Sequence, residues 1–204
     1  MTDFKFEIPM TVAQLAILVL DGSGSMMREN KSKNVHKATK EFIQRLQKSR
    51  IAQSFWVSIL AFDTDVSYQW SNPPYRRVSE IDVSTIENPV KLAGGSWTNI
   101  AKALEDAGKV AETFINDDDI PVDPKNKKIV IFLLTDGGHN QPGDPESVAK
   151  NLLKDYEICT IAYGEKANEE LLKKLVKDPS KNFLKTDDPE VLRDFFIHSS
   201  MLIE

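Results

Sequence analysis

The sequence predicts a three-layer, doubly wound α/β fold. Two observations carry that expectation: four nearly continuous apolar runs of strand length, and helical apolar periodicity in the stretches between them. A third sharpens it. Asp21 and Asp136 stand directly after two of the runs, where open α/β sheets present their ligand-binding edge.

The runs cover residues 14–20, 56–62, 129–134 and 158–163. They do not alternate apolar with polar, which is the pattern of strands covered on both faces of a parallel sheet. Between them, Val35, Ala38, Phe42 and Leu46 share one face of a first helix. Ile100, Ala103, Leu104, Ala107, Ala111 and Phe114 line a second; Val148, Leu152 and Leu153 belong to a third; Leu171, Leu172 and Leu175 belong to a fourth. Asp144-Pro145-Glu146 and Asp188-Pro189-Glu190 each combine a capping acid, a first-turn proline and a second acid, and so mark helix starts. The latter opens a last helix through Val191, Phe195 and Phe196 towards Met201, after a short edge strand at Phe183 and Leu184. Residues 66–70 read as a strand or hairpin arm, Pro73-Pro74 as a break, and residues 75–86 as a loop or short strand. The sum is a mostly parallel, Rossmann-like central sheet with an antiparallel edge strand and helices on both faces. Residues 1–204 are read as one domain, with residues 1–11 an extra edge strand or a tail that packs on a neighbour.

The 204 residues suffice for one sizeable core, and 41% hydrophobic with 28% charged residues argues against disorder. A net charge of −5 without a basic block argues against nucleic-acid binding. No leader and no span of ~20 apolar residues is visible, so neither secretion nor a membrane partner is expected. The single cysteine, Cys159, sits in an apolar run, reads as a buried free thiol and suits a reducing cytoplasm.

The chemistry concentrates in Asp21-Gly22-Ser23-Gly24-Ser25, Thr98 and Asp136. Ser23 and Ser25 offer neutral oxygens at alternate positions of a tight loop, and Gly22 and Gly24 let its backbone turn. Hard oxygen donors with few carboxylates suit Mg2+, which prefers an octahedral oxygen shell and keeps some waters; Mn2+ and Ca2+ are the substitutes to expect. Thr98 follows a glycine-rich loop and precedes the second helix, so it is either a ligand or that helix's cap, and Asn99 is the alternative cap.

These three motifs, in this order and each at a strand end or helix start, resemble the von Willebrand factor type A (VWA) domain with a metal-ion-dependent adhesion site (MIDAS). The resemblance covers residues 12–196. It implies that Ser23, Ser25 and Thr98 coordinate the ion directly, that Asp21 and Asp136 hold it largely through water, and that a remaining position accepts an acidic side chain of a partner protein. Ser96 and Trp97 lengthen the loop before Thr98 relative to many members. Trp97 is then either an aromatic contact beside the site or a core residue. Met27, Trp97, Asn99 and His139 are the candidate partner-binding rim, Met26 is a packing residue beneath the loop, and residues 28–31 read as a solvated surface segment. Asp63 is read as a turn acid or a supporting group.

No histidine is placed to activate Ser23 or Ser25, so no catalysis is expected. Metal-dependent phosphoryl transfer is the enzymatic alternative, short of the extra carboxylates or cationic clamp it needs. The loop lacks the lysine of a phosphate loop. Among intracellular members the chain resembles the bacterial tellurite-resistance and stress-response group, which is associated with phosphorylation systems. Subunits of AAA-type ATPase assemblies are the other cytoplasmic comparison.

Overall fold

The computed structural model describes residues 10–201, so the expectation of a strand or tail at the N-terminus falls, up to residue 9, outside the described residues. Strands β1 (Ala13–Asp21), β2 (Phe55–Phe62), β3 (Val66–Tyr68), β4 (Arg76–Arg77), β5 (Lys127–Thr135), β6 (Glu157–Tyr163) and β7 (Phe183–Thr186) form one sheet. The main order is β3-β2-β1-β5-β6-β7, with β4 also paired to β2. β1, β2, β5, β6 and β7 run parallel, while β3 and β4 pair antiparallel with β2. The chain leaves β1 for β2 on one side and later returns to β5 on the other. β1 and β5 therefore flank the point where strand order reverses.

Among the described residues, seven α-helices accompany the sheet: α1 (Lys31–Gln47), α2 (Pro89–Ala93), α3 (Ile100–Ile115), α4 (Pro145–Leu152), α5 (Glu169–Lys174), α6 (Pro179–Asn182) and α7 (Pro189–Met201). The two faces follow from the period-2 alternation of a strand. Leu15, Ile17 and Val19 of β1 face the apolar stripe of α3, with Leu172 and Leu175 beside them. Ala16, Leu18 and Leu20 face α1 and α7, where Phe42 and Phe132 each pack on the Phe196 ring, at 5.6 and 5.2 Å between centroids. Each fully buried Val, Leu, Ile or Phe side chain among these stabilises the fold by about 1.5–3 kcal/mol.

The expected caps are present: Asp144 accepts from the Glu146 N–H at 3.0 Å and Asp188 from the Glu190 N–H at 2.7 Å. Two short helices, α2 and α6, escape periodicity because they are too short to show it. They carry the same signal, however, since Asn88-Pro89 and Asp178-Pro179 cap and open them. Residues 75–86 resolve into β4 and two single-turn 3-10 helices, at Val78–Glu80 and Val83–Thr85. Lys127 and Lys128 lengthen β5 beyond its apolar run, and Cys159 is a buried free thiol as expected.

Candidate metal centre

Parallel registry delivers both acids to one edge. Asp21 ends β1 opposite Phe62 of β2, and Leu20 pairs with Leu134 of β5, one residue before Thr135. Asp21 is fully buried; its Oδ1 accepts from the Ser23 N–H at 2.7 Å and its Oδ2 from the Thr135 hydroxyl at 2.5 Å. Burial pushes the Asp21 carboxyl above the ordinary carboxylate range; the bonds from Ser23 and Thr135 pull it back, and nearby Asp136 adds repulsion.

Asp136 follows β5 and is 2% exposed. Its Oδ1 accepts from Ser25 Oγ at 2.5 Å and its Oδ2 from Lys31 Nζ at 2.7 Å. The Ser23 and Ser25 hydroxyl oxygens are 3.1 Å apart. Two adjacent vertices of an octahedron with ~2.0–2.1 Å metal–oxygen bonds lie about 3 Å apart, so this pair fits a small hard cation. Among the described residues there is no cluster of three or more His, Cys, Asp or Glu side chains. The donor set is therefore hydroxyls backed by two acids.

Gly22 is required by close approach: a Cβ there would lie 2.5 Å from Ala93 Cβ and 2.6 Å from the Pro89 carbonyl oxygen of α2. Gly94 and Gly95 take positive φ values of 119° and 87° and turn the chain from α2 into the Thr98 loop. Asp63 organises that loop, since its Oδ2 accepts from the Ser96 N–H at 3.0 Å and its carbonyl from the Asn99 N–H at 2.8 Å.

Thr98 is buried and does not cap α3. Its N–H donates to Asn140 Oδ1 at 2.9 Å and its carbonyl accepts from the Asn140 N–H at 3.1 Å. Its hydroxyl faces the segment after β5: a Cβ on Gly137 would lie 3.9 Å from it. The cap is Asn99, whose side chain accepts from the Lys102 N–H at 3.2 Å. His139 Nδ1 accepts from the Ile100 N–H at 3.2 Å, which leaves Nε2 to donate to the Gly143 carbonyl, also at 3.2 Å. Asn99 and His139, expected at the rim, thus commit polar atoms to the start of α3 and its neighbouring loop. Trp97 and Met27 are 62% and 59% exposed, so Trp97 is not a core residue. Met26 is fully buried.

The reading of residues 28–31 as a solvated segment is corrected at Lys31, whose side chain is only 12% exposed and ion-paired with Asp136. Sequence reasoning also missed Asn140 and the Thr135 hydroxyl. Thr135 directly precedes the Asp136-Gly137 motif, so its position was the available signal; Asn140 carried none. Beside Ser25 and Asp136 opens a cleft of about 630 Å³, lined also by Arg28, Lys31, Tyr163 and Lys166.

The family description of the von Willebrand factor type A domain matches residues 17–197. The chain belongs to the von Willebrand factor type A domain family. Complement factor B of Bos taurus is 27% identical over an aligned length of 200 residues that covers 88% of this VWA chain and 26% of that protein. A VWA structure from Catenulispora acidiphila superposes with a TM-score of 0.71 at 17% identity, covering 93% of this chain and 42% of that one. Proximal thread matrix protein 1 of the mussel byssus, in a form with a zinc-occupied MIDAS motif, superposes with a TM-score of 0.67 at 18% identity, covering 92% and 48%. The chain thus spans about a quarter of that curated relative and less than half of each of these two solved chains. VWA domains are typically metal-dependent protein-interaction modules. Among the described residues, no helix is long and apolar enough to cross a membrane.

Proposed function

We propose that this VWA domain is a divalent-metal-dependent adaptor whose ion, Mg2+ before Mn2+ or Ca2+, accepts an acidic side chain from a partner protein. Ser23, Ser25 and Thr98 are the direct ligands, and Asp21 and Asp136 act through water. The observation that carries this reading is the prior commitment of the acids. All four carboxylate oxygens of Asp21 and Asp136 already accept a protein donor, while the two serine oxygens stand one octahedral edge apart. A cation held mostly by neutral hydroxyls keeps positive charge that an incoming carboxylate can use. Met27 and Trp97 flank the entry as apolar contacts for the partner's neighbouring residues, and Asn99 and His139 fix the start of α3 directly after Trp97 and Thr98.

The chain is not proposed as an enzyme. Phosphoryl transfer gains one observation, a lysine at the site, but the Lys31 ammonium is already paired with Asp136 rather than free to clamp a phosphate. The setting we propose is cytoplasmic, in a stress-response or phosphorylation-linked system, with an AAA-type assembly as the alternative. The buried, unpaired Cys159 is compatible with a reducing compartment.

Partner capture from a lysate with Mg2+, with chelator, and with Ser23→Ala tests the reading. Metal-dependent capture lost in Ser23→Ala, with the circular dichroism spectrum unchanged, is the expected result. Capture indifferent to chelator and to Ser23 would sink it.

A further inference from the structure

Lys31 is the feature that the metal-site reading does not use. The chain enters α1 through two consecutive left-handed non-glycine residues, Glu29 at φ 55° and Asn30 at φ 57°. That conformation is unfavourable for residues with a Cβ. It places Lys31 at the first position of α1, with Nζ 2.7 Å from Asp136 Oδ2. The lysine stem lies along bare backbone: a Cβ on Gly164, which has φ 92°, would meet Lys31 Cε at 3.4 Å and Nζ at 3.5 Å. The pair is shielded, with 12% of the lysine side chain and 1% of the Asp136 side chain exposed. Glu29, also 3.8 Å from Nζ, is 80% exposed and competes weakly.

We propose that Lys31 is a built-in counter-cation of the metal site, which weakens the uptake of a divalent ion and leaves the loaded site with a net positive charge. This rests on the metal-site reading above. Two carboxylates, Asp21 and Asp136, balance the charge of a divalent ion, and the Lys31 ammonium is the charge left over. Before uptake, that ammonium offsets the charge of Asp136, which repels the buried Asp21 carboxyl. After uptake it is a like charge beside the ion, in surroundings where screening is poor. Lys31 therefore supports the ion-free state and opposes the loaded one. Its retained charge is also what an acidic partner group would meet.

The test is a titration of the chelator-treated full chain with MgCl2 and MnCl2, by calorimetry and by the ion-induced rise in Tm. It uses wild type, Lys31→Met, Lys31→Gln, Lys31→Arg and Ser23→Ala. Loss of the ammonium should tighten binding by about tenfold in Lys31→Met and Lys31→Gln, while Lys31→Arg stays near wild type. Lys31→Gln retains a donor for Asp136, so it reads the charge alone and serves if Lys31→Met does not fold. Ion binding measurable only in the neutral variants is the extreme form of the expected result. Equal or weaker binding by the neutral variants, with Ser23→Ala still deficient, overturns the Lys31 proposal and leaves the metal site standing. Identical behaviour of all five proteins overturns the metal site itself, and the proposal with it.

Discussion

Two lysines occupy opposite ends of β5, and they are held in different ways. Lys127, its first residue, is 7% exposed and donates to the carbonyls of Phe114, Ile115 and Asp117 at 3.1, 3.0 and 2.7 Å. The Phe114 and Ile115 carbonyls end α3 and that of Asp117 lies just beyond, where the helix dipole favours a cation. Its ammonium also lies 5.8 Å from the Phe114 ring centroid. All three donors are used by partners that cannot leave. Lys31 instead is held at hydrogen-bond distance by the Asp136 carboxylate, with exposed Glu29 at 3.8 Å, next to a cleft. Backbone carbonyls make a closed cap; a carboxylate makes a contact that another cation can contest. The same side chain is a structural plug at one end of the strand and an adjustable charge at the other.

The largest effect expected from testing this contrast is at the closed end. Lys127→Met removes three charged donations, leaving the Ile115 carbonyl without this donor while Phe114 and Asp117 keep backbone ones, and should lower unfolding stability by about 3 kcal/mol in urea titration, without altering Mg2+ affinity. A shift in ion affinity would mean that the two ends are coupled through β5.

Cys159, in mid-sheet on β6, is a buried ionisable group with no counter-charge. Burial pushes its thiol up to about 11 from the usual 9.0, against a weak opposing bond from Asn182 Nδ2 at 3.4 Å. A raised thiol pKa means that the folded state keeps its proton longer than the unfolded chain. Stability from this group is complete below pH ~9 and falls as pH rises towards ~11, by about 1.4 kcal/mol per unit. Urea titrations from pH 8 to 11 should show a fall that is shallower in Cys159→Ala by this amount, the remainder coming from tyrosines such as Tyr68 and Tyr163, whose hydroxyls burial also pushes up.

Gly22→Ala acts at the open end. Its methyl would meet Ala93 and the Pro89 carbonyl at the 2.5 and 2.6 Å separations noted above, so α2 must shift. A loss of about 2 kcal/mol is expected, together with weaker ion binding as the serine loop moves. Unchanged affinity would show that the loop tolerates displacement of α2. Lys31→Met removes one of the two side-chain bonds to the shielded Asp136 carboxylate, so the ion-free protein should lose stability in urea titration and recover it when Mg2+ is added.

Much of this was legible along the chain. The strands announced themselves because a strand buried on both faces must be nearly all apolar, as at residues 129–134. The acids were legible because a carboxylate directly after such a run needs a partner. Lys127 was not, since a polar residue next to an apolar run reads as the run's boundary; only the approach of the α3 terminus makes its burial tolerable. Asn99 and Thr98 were adjacent candidates for one cap, and the Asn140 clamp on the Thr98 backbone separates their roles.

The sequence by itself determined the strands, the helices between them and the alternating oxygen donors, because each depends on residues within a few positions of one another. The tertiary structure alone decided which residues complete the site. Lys31 and Asp136 stand 105 residues apart, as Ser25 and Asp136 stand 111 apart. They meet because β5 returns beside β1 and two left-handed residues turn α1 towards it. Charge pairing at that range has no periodicity to read, since it arises only when strand order brings two sheet ends together.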